Sequence, residues 1–237
     1  MNRYIKDYDP SSITNLLLLS HDWDVIELSF TVDEQKLLAW YNYVTETFKD
    51  LEFTFFDDRY VKPEYLPNSE GYYGYANKLY GHIGSWTLDW PCERDIPLPP
   101  GFAAKMELYP ELLSGKPYKL QEKFKVGYLK ELTDKLGESA FRFSRITKHE
   151  TGSKLLGHID RAYEAVRVHF PIISSEESTF SFGDNLDRHY SFKPGHVYLI
   201  NASVWHATNN TGPTRAHIIS DPSTDAILRL VNTKGAL

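Results

Sequence analysis

Residues 196–221 read HVYLINASVWHATNNTGPTRAHIISD and contain three short β-forming runs separated by Asn, Ser, Gly and Pro. Val, Ile, Tyr, Trp and Thr favour strands, whereas Gly, Pro and Asn favour the turns between them. The same texture starts near residue 138, where the runs are AFRFSRITKH, KLLGHID, AVRVHFPI, STFSFG and HYSFKPG. Many short strands at regular spacing are typical of a β-sandwich or barrel. The sequence therefore predicts an all-β core over residues 138–222.

The chain before this core is predicted to contain helices. Thr31-Val-Asp-Glu34 fits a capping box, and apolar residues follow it at helical spacing, which predicts an amphipathic helix over residues 32–50. A similar stripe predicts a second helix at about 118–136, with Gly137 at its C-terminal cap. The expected fold class is α+β, mainly β, with the N-terminal helices flanking the β-core.

Length and composition limit the classes of function. A chain of 237 residues, 41% of them hydrophobic, can bury one core, so we expect a single domain over residues 1–237, with a mixed N-terminal part to residue 137 and a C-terminal extension at 223–237. A net charge of −6 argues against a nucleic-acid partner. No apolar run approaches the roughly 18 residues that a membrane span needs, and the N-terminus lacks the apolar segment of a secretion signal. We expect a cytoplasmic protein with neither nucleic-acid nor membrane partners.

Residues 52–117 are predicted to be irregular, because prolines interrupt them and aromatic residues are frequent. A long segment of this kind is either a lid or binding region or a surface wrap whose aromatic side chains pack on the core. Its candidate substrate contacts are Tyr80, Trp86 and Arg94, since the guanidinium of an arginine can bind a carboxylate.

The residues that carry chemistry lie in the C-terminal part of the chain. Seven of nine histidines fall there, and the single cysteine, Cys92, excludes a cysteine-based zinc cage. On a strand, His158 and Asp160 would point to the same face and could bind one metal ion together. With His206 from a later strand they would form the two-histidine, one-carboxylate triad of non-heme Fe(II) oxygenases.

Cationic residues follow both histidine motifs. Arg215 comes nine residues after His206 and could bind a carboxylate through its two-pronged guanidinium. Arg167-Val-His169 lies on the strand after His158-Ile-Asp160 and offers a second cationic pair, or else a solvated strand face. Both positions are compatible with an acidic ligand near the predicted metal.

An ordered set of motifs over about residues 140–222 resembles the aspartyl/asparaginyl β-hydroxylase family of Fe(II)/2-oxoglutarate oxygenases, which includes proline-hydroxylase-like members. The motifs, in chain order, are His158-Ile-Asp160, Arg167-Val-His169-Phe-Pro-Ile, Lys193-Pro-Gly, Asn201, His206-Ala-Thr-Asn209, Arg215-Ala-His217 and Asp221. The resemblance implies a double-stranded β-helix, that is, a jelly-roll or cupin-like barrel. It also implies Fe(II), 2-oxoglutarate and O₂ as cofactor and cosubstrates. Residues 1–137 carry no such resemblance.

The resemblance also implies roles for single residues. Fe(II) is expected on His158, Asp160 and His206, and the distal carboxylate of 2-oxoglutarate on Arg215, with Arg167 or His169 in support. His217 is expected to line the same pocket. The implied reaction hydroxylates an amino acid, free or within a peptide, while 2-oxoglutarate decarboxylates to succinate and CO₂. The hard chemistry would belong to the cofactor and the positioning to the protein.

The remaining histidines and the residue before His206 are expected to be structural. His149, His189 and His196 lie near strand ends or turns without a partner at metal spacing. Trp205 should point to the face opposite His206 and is expected in the core.

Two alternatives use the same strands. A non-catalytic cupin-type protein could bind a small ligand without turnover, and a hydrolase could hold zinc on the same three residues. In a binding protein Asp160→Ala should leave ligand affinity intact, whereas an oxygenase should lose metal and activity. Dependence on O₂ and on 2-oxoglutarate separates an oxygenase from a hydrolase.

Overall fold

The computed structural model describes residues 3–13, 22–48, 54–55, 83–90, 117–159 and 166–237. Its described strands form a nine-stranded major sheet, a four-stranded minor sheet and a two-stranded ribbon. A short 3₁₀ helix, Glu138–Phe141, and three α-helices with described bounds accompany them. The α-helices are α1 (Glu34–Thr47), α2 (Gly127–Leu136) and α3 (Thr224–Asn232).

The strands are numbered in chain order. Those before the predicted core are β1 (Tyr4–Ile5), β2 (Val25–Thr31), β3 (Thr54–Phe55), β4 (Ile83–Thr87), β5 (Asp89–Trp90) and β6 (Lys119–Leu120). Those within it are β7 (Arg145–His149), β8 (Ser153–His158), β9 (Val166–Ile173), β10 (Ser178–Phe182), β11 (Arg188–Ser191), β12 (His196–Asn201), β13 (His206–Asn210) and β14 (Arg215–Ser220). The last strand is β15 (Gly235–Ala236).

Each of the eight strand-forming runs of the predicted β-core contains a strand, which confirms this part of the prediction, although the first run begins in a 3₁₀ helix, Glu138–Phe141, and becomes a strand only at Arg145. The major sheet has the order β1-β2-β12-β9-β14-β7-β4-β3, and β15 also pairs with β2. The minor sheet has the order β11-β10-β13-β8. The major sheet therefore extends beyond residues 138–222, because strands from the N-terminal part and from residues 235–236 add to it.

The two sheets pack face to face through an apolar cluster. Phe180 and Phe182 from the minor sheet meet Tyr198 and Ile200 from β12 of the major sheet, together with Phe192. The opposite face of the major sheet packs on the helices. That larger cluster includes Leu37, Leu132, Phe170, Ile218 and Leu230. The fold is thus mainly β, as predicted, and among the described strands no pairing closes the two sheets into a barrel.

The first helix begins later than the capping-box prediction places it. Asp33, not Thr31, is the N-cap, and its carboxylate accepts a hydrogen bond from the backbone N–H of Lys36. Thr31 instead ends β2, where it lies opposite His196 and Ala236. Tertiary pairing therefore outweighs the local capping preference of Thr31.

The second helix is shorter than predicted, and the C-terminal extension contains a helix. Helix α2 begins at Gly127, because residues 119–120 pair with β5, and Gly137 follows it with φ +82°. Helix α3 begins after Ser223, whose hydroxyl accepts from the N–H of Ala226, and buries Ile227 and Leu230. The apolar spacing 226, 227, 230 and 231 was the sequence signal for α3.

None of the helices in the described ranges combines the length and apolar character that crossing a bilayer requires.

Candidate active site

His158 and His206 lie directly opposite each other at one end of the minor sheet. They are paired across β8 and β13, and their ring centroids are 4.3 Å apart. Nδ1 of His206 lies 2.8 Å from the carbonyl oxygen of Val204. Because a carbonyl can only accept, Nδ1 carries the proton in the neutral ring and Nε2 keeps the lone pair that a metal needs.

Asp160 lies outside the described residues. Among the residues that the structure does describe, no three His, Cys, Asp or Glu side chains come together as a metal-binding group. The structure therefore brings the two predicted histidines together. Asp160 as the third ligand stays a prediction from its position two residues after His158.

The indole of Trp205 covers the backbone beside the histidine pair. A Cβ added to Gly157 would lie 2.5 Å from Nε1 and 2.8 Å from Cε2 of Trp205. Trp205 is 38% exposed. The prediction that Trp205 is a core residue was wrong, since the opposite face of β13 at this end of the strand reaches solvent.

Gly157→Ala is expected to weaken metal binding and to lower the free energy of unfolding by about 1–3 kcal/mol, a typical cost of overpacking. The new methyl group must displace the Trp205 ring or the backbone, and both adjoin a histidine of the pair. Mn(II) titration and urea unfolding measure the two effects. Combining the change with Trp205→Ala should restore both values, because the small side chain makes room. Unchanged Mn(II) affinity in Gly157→Ala would contradict this packing.

Arg215 lies on the inner face of β14, within the space between the sheets. It is 1% exposed, and its guanidinium carbon is 4.3 Å above the ring centroid of Phe180. Burial lowers the pKa of this guanidinium to about 9. Nε and Nη1 of Arg215 have no hydrogen-bond partner in the part of the chain that the structure describes.

Other buried polar atoms without a partner lie on strands of both sheets. Within the described ranges they include Oγ1 of Thr147, Nδ1 of His149, Oγ of Ser153, Oγ of Ser178, Oγ1 of Thr208 and Nε2 of His217. All six residues are buried. Buried polar groups in proteins are normally hydrogen-bonded, so a cluster of this kind indicates a place for water or for a polar ligand.

Another deeply buried charge, that of Asp24, is neutralised within the fold. The carboxylate of Asp24 is fully buried and accepts from Nε of Arg3 at 2.9 Å, Nε of Arg188 at 2.6 Å and the hydroxyl of Tyr190 at 3.1 Å. No acidic side chain among the described residues forms an ion pair with Arg215. A buried cation without a counterion is costly, and a bound anion would remove that cost.

Three buried imidazoles adjoin Arg215. His149, His169 and His217 are each at most 3% exposed, and Nδ1 of His169 lies 3.4 Å from Nδ1 of His217. The pKa of each ring is well below its usual value, first because of burial and then because of the charge of Arg215. All three rings are therefore neutral at pH 7, and Arg215 is the cation of this cluster.

Acidification below about pH 6.5 is expected to destabilise the protein steeply. The three rings stay neutral in the folded protein but bind protons in the unfolded chain, so the free energy of unfolding falls by up to about 4 kcal/mol per pH unit. Burial raises the pKa of Asp89, so above about pH 4 this carboxyl keeps a proton in the folded protein that it loses in the unfolded chain. Asp89 therefore offsets the effect of one of the three histidines on the pH dependence of the free energy of unfolding. Urea unfolding at several pH values measures the slope.

The His149→Leu variant should show a slope about one proton smaller. His189, which shares a 2.8 Å hydrogen bond with Ser181, provides the control, because His189→Gln removes none of the buried imidazoles. A free energy of unfolding that stays constant between about pH 5 and 7 would contradict the neutral state of these rings.

The histidine pair and Arg215 face the same inner space, at levels two residues apart along the strands of the minor sheet. Phe182 lies opposite His206, and Phe180 lies opposite Thr208, two residues further along β13. Two residues of a strand span roughly 7 Å. Since the guanidinium of Arg215 stacks on Phe180, a short dicarboxylate can reach from the pair to Arg215.

Arg167 lies at the other end of the major sheet from Arg215. Its Nε donates to Oδ1 of Asp221 at 2.9 Å, and Arg145 lies 3.8 Å from the second oxygen of that carboxylate. Strand β14 separates Arg215 from Asp221 by about 20 Å. The structure therefore brings His169 and His217 to Arg215, whereas Arg167 belongs to an ion-pair network near the start of β9.

Two of the three predicted substrate contacts lie outside the described residues, and the backbone of the third is part of a strand. Arg94 and Tyr80 lie outside the described residues, and Trp86 is part of β4, where its backbone pairs with Ile146. The predicted irregular segment 52–117 thus contributes two strands, β3 and β4, to the major sheet.

Sequence reasoning missed His149 and Thr147. His149 lies opposite Arg215, and Thr147 lies opposite His217, in the pairing of β7 with β14. Alternation in the run RITKH places residues 145, 147 and 149 on one face, which was the available signal. The partner strand was not predictable, and His149 was therefore assigned a structural role.

Comparisons with known proteins give weak similarities in structure. A 2OG-Fe(II) oxygenase family oxidoreductase from Burkholderia pseudomallei matches with a TM-score of 0.41 and 12% identity, over 94% of this chain and 98% of its own. A Trichoplax adhaerens prolyl hydroxylase in complex with a hypoxia inducible factor peptide fragment matches with a TM-score of 0.43 and 12% identity, over 89% of this chain and 88% of its own. A Pseudomonas putida prolyl-4-hydroxylase matches with a TM-score of 0.39 and 9% identity, over 89% of this chain and 96% of its own.

No protein-family model and no curated protein sequence matches this chain. Similarities in structure at this level do not assign a function, so the assignment has to come from the side chains of this chain.

Proposed function

We propose that this protein is an Fe(II)- and 2-oxoglutarate-dependent dioxygenase. It would hydroxylate an amino acid, free or within a peptide, of the aspartyl/asparaginyl or prolyl type, with decarboxylation of 2-oxoglutarate to succinate and CO₂. The observation that carries the proposal is the unpartnered, buried Arg215, one level from the facing pair His158 and His206. A pair of metal-binding histidines beside an unneutralised cation suits a ligand that binds a metal at one end and a cation at the other.

The residues present fit the metal and the cosubstrate. His158, His206 and Asp160 would hold Fe(II), which is bound in this class of enzyme by two imidazoles and one carboxylate. When bound, iron and 2-oxoglutarate supply O₂ activation and the oxidising power for attack on a C–H bond. The hydrogen bond from Nδ1 of His206 to the carbonyl of Val204 sets the ring orientation that ligation needs.

The side chains of the pocket bind and orient the cosubstrate. Arg215 would hold the distal carboxylate in a charge-assisted contact, which is strong because its surroundings are dry. The rings of Phe180 and Phe192 stack with centroids 4.5 Å apart and exclude water beside it. Of the two supporting residues that the family resemblance offers, the contacts favour His169, which lies with its ring centroid 5.2 Å from that of Phe180.

The jelly-roll barrel belongs to the same proposal. Two facing sheets, with the histidine pair on the minor sheet and Arg215 on the major sheet, are consistent with the double-stranded β-helix that the resemblance implies. The sheets supply a rigid frame on which the metal end and the carboxylate end of the pocket are held at a constant separation.

Succinate formation tests the proposal. The purified protein is incubated with Fe(II), ascorbate and 2-oxoglutarate in air, with free amino acids and with peptides in parallel, and succinate is followed by NMR. Anaerobic calorimetry with Mn(II) measures 2-oxoglutarate binding separately from turnover. We expect binding that requires the metal, and succinate formation that requires O₂. Absence of both metal and 2-oxoglutarate binding would refute the proposal.

A further inference from the structure

His149 occupies the position opposite Arg215 on the inner face of the major sheet. The two residues are paired across β7 and β14, and opposed residues of antiparallel strands point to the same face. His149 is 3% exposed. Its side chain is therefore part of the wall that surrounds the guanidinium, although the sequence suggested only a structural role.

The backbone of His149 is anchored, whereas its ring is not. The side-chain amide of Asn210 donates to the carbonyl oxygen of His149 at 3.0 Å and to that of Pro213 at 2.8 Å, which ties the end of β7 to the turn before Arg215. Nδ1 of the His149 ring is buried and has no hydrogen-bond partner within the described ranges. An imidazole whose backbone is fixed and whose buried ring nitrogen has no partner is suited to contact a ligand.

The charges of the two side chains favour a shared anion. Burial and the charge of Arg215 lower the pKa of His149, so the ring is neutral and carries one N–H donor. Arg215 has only donors, and the two side chains do not hydrogen-bond each other. A carboxylate has about four acceptor sites, enough to receive both donors at once. Neither donor finds an acceptor elsewhere in the described part of the fold.

We propose that His149 donates a hydrogen bond to the same carboxylate that Arg215 binds, which makes it a second residue that selects the distal carboxylate of the cosubstrate. This inference rests on the proposed oxygenase function. A neutral donor adds geometric selectivity to the charge of Arg215, and it does so without adding a second buried cation beside the first. The pocket would thus accept one carboxylate group at this end.

Ligand binding by two variants and one control tests the inference. Anaerobic calorimetry with Mn(II) compares the wild type, His149→Leu, His149→Asn and the control His189→Gln, each with 2-oxoglutarate and with 2-oxobutyrate, which lacks the distal carboxylate. We expect His149→Leu to weaken 2-oxoglutarate binding about 10- to 100-fold, as expected for loss of a hydrogen bond to a charged group. His149→Asn keeps a donor near the position of Nδ1 and should recover most of the loss.

Binding of 2-oxobutyrate should be the same in all four proteins, and thermal unfolding checks that each variant is folded. Equal weakening of both ligands by His149→Leu, or equal weakening of 2-oxoglutarate by the Leu and Asn variants, would overturn the inference, because a structural role predicts either result. Unchanged 2-oxoglutarate affinity in His149→Leu would also overturn it. If the wild type itself binds no 2-oxoglutarate, the proposed function fails, and that result is distinct from the others.

Discussion

Arg215→Met should weaken 2-oxoglutarate binding at least 100-fold and leave the free protein as stable as the wild type or more stable. Loss of a buried charged partner from a bound ion pair costs about 2–5 kcal/mol of affinity. In the free protein, by contrast, Arg215 is buried and no described acidic group neutralises it. An apolar side chain of similar length removes that unpaired charge, and only the stacking of the guanidinium on Phe180 is lost.

Two measurements on the same protein distinguish this role from a structural one. Anaerobic calorimetry with Mn(II) gives the affinity for 2-oxoglutarate, and thermal unfolding without ligand gives the stability. Arg229→Met is the matched control, because Arg229 is an exposed residue of α3 that donates to the hydroxyl of Ser139, and α3 packs on the face of the major sheet opposite the pocket. An arginine with a structural ion pair would lose about 3–5 kcal/mol of stability on truncation. A lower melting temperature with unchanged ligand affinity would contradict the assignment.

His206→Leu is expected to abolish metal binding at micromolar concentrations. Residues that only orient a metal ligand typically contribute 10- to 100-fold in affinity, so removal of a ligand itself should cost more than about 100-fold. The variant keeps an apolar side chain in a buried position that contacts Phe182, so the sheet should persist. The unpaired carbonyl of Val204 adds a destabilisation of about 1–3 kcal/mol.

Mn(II) and Co(II) titrations measure this effect, by calorimetry and by visible absorption. His189→Gln is the control on the same sheet, since His189 bonds Ser181 and not the pair. We expect the control to bind both metals as the wild type does. Metal binding by His206→Leu that matches the wild type would exclude His206 as a ligand and would leave the oxygenase proposal without its metal site.

The strands and their inner faces were predictable from local sequence. In β14, for example, Arg215 and His217 alternate with Ala216 and Ile218, and this period of two already separates a polar face from an apolar one. The spacing of His158 and Asp160, and the order of His206 and Arg215, are likewise properties of the chain alone. These patterns predicted the β-core, the candidate ligands and the kind of chemistry.

The register between strands was not predictable, because it depends on which strands meet. Only the pairing of β8 with β13 brings His158 opposite His206, and only the pairing of β7 with β14 brings His149 beside Arg215. The start of α1 shows the same limit, since Thr31 is a good cap in isolation but pairs with His196 in the sheet. Local propensities of a few tenths to about 1 kcal/mol are easily outweighed by such pairings.

The sequence by itself determined the strand pattern and the residue types that suit iron and a carboxylate ligand. Tertiary structure decided that Arg215 is buried without a counterion, that three imidazoles around it are neutral, and that Arg167 is paired with Asp221 instead. The physical reason is that hydrogen-bond capacity and side-chain direction are local properties of the chain. Desolvation and charge pairing, in contrast, depend on what the folded sheets place on every side of a group.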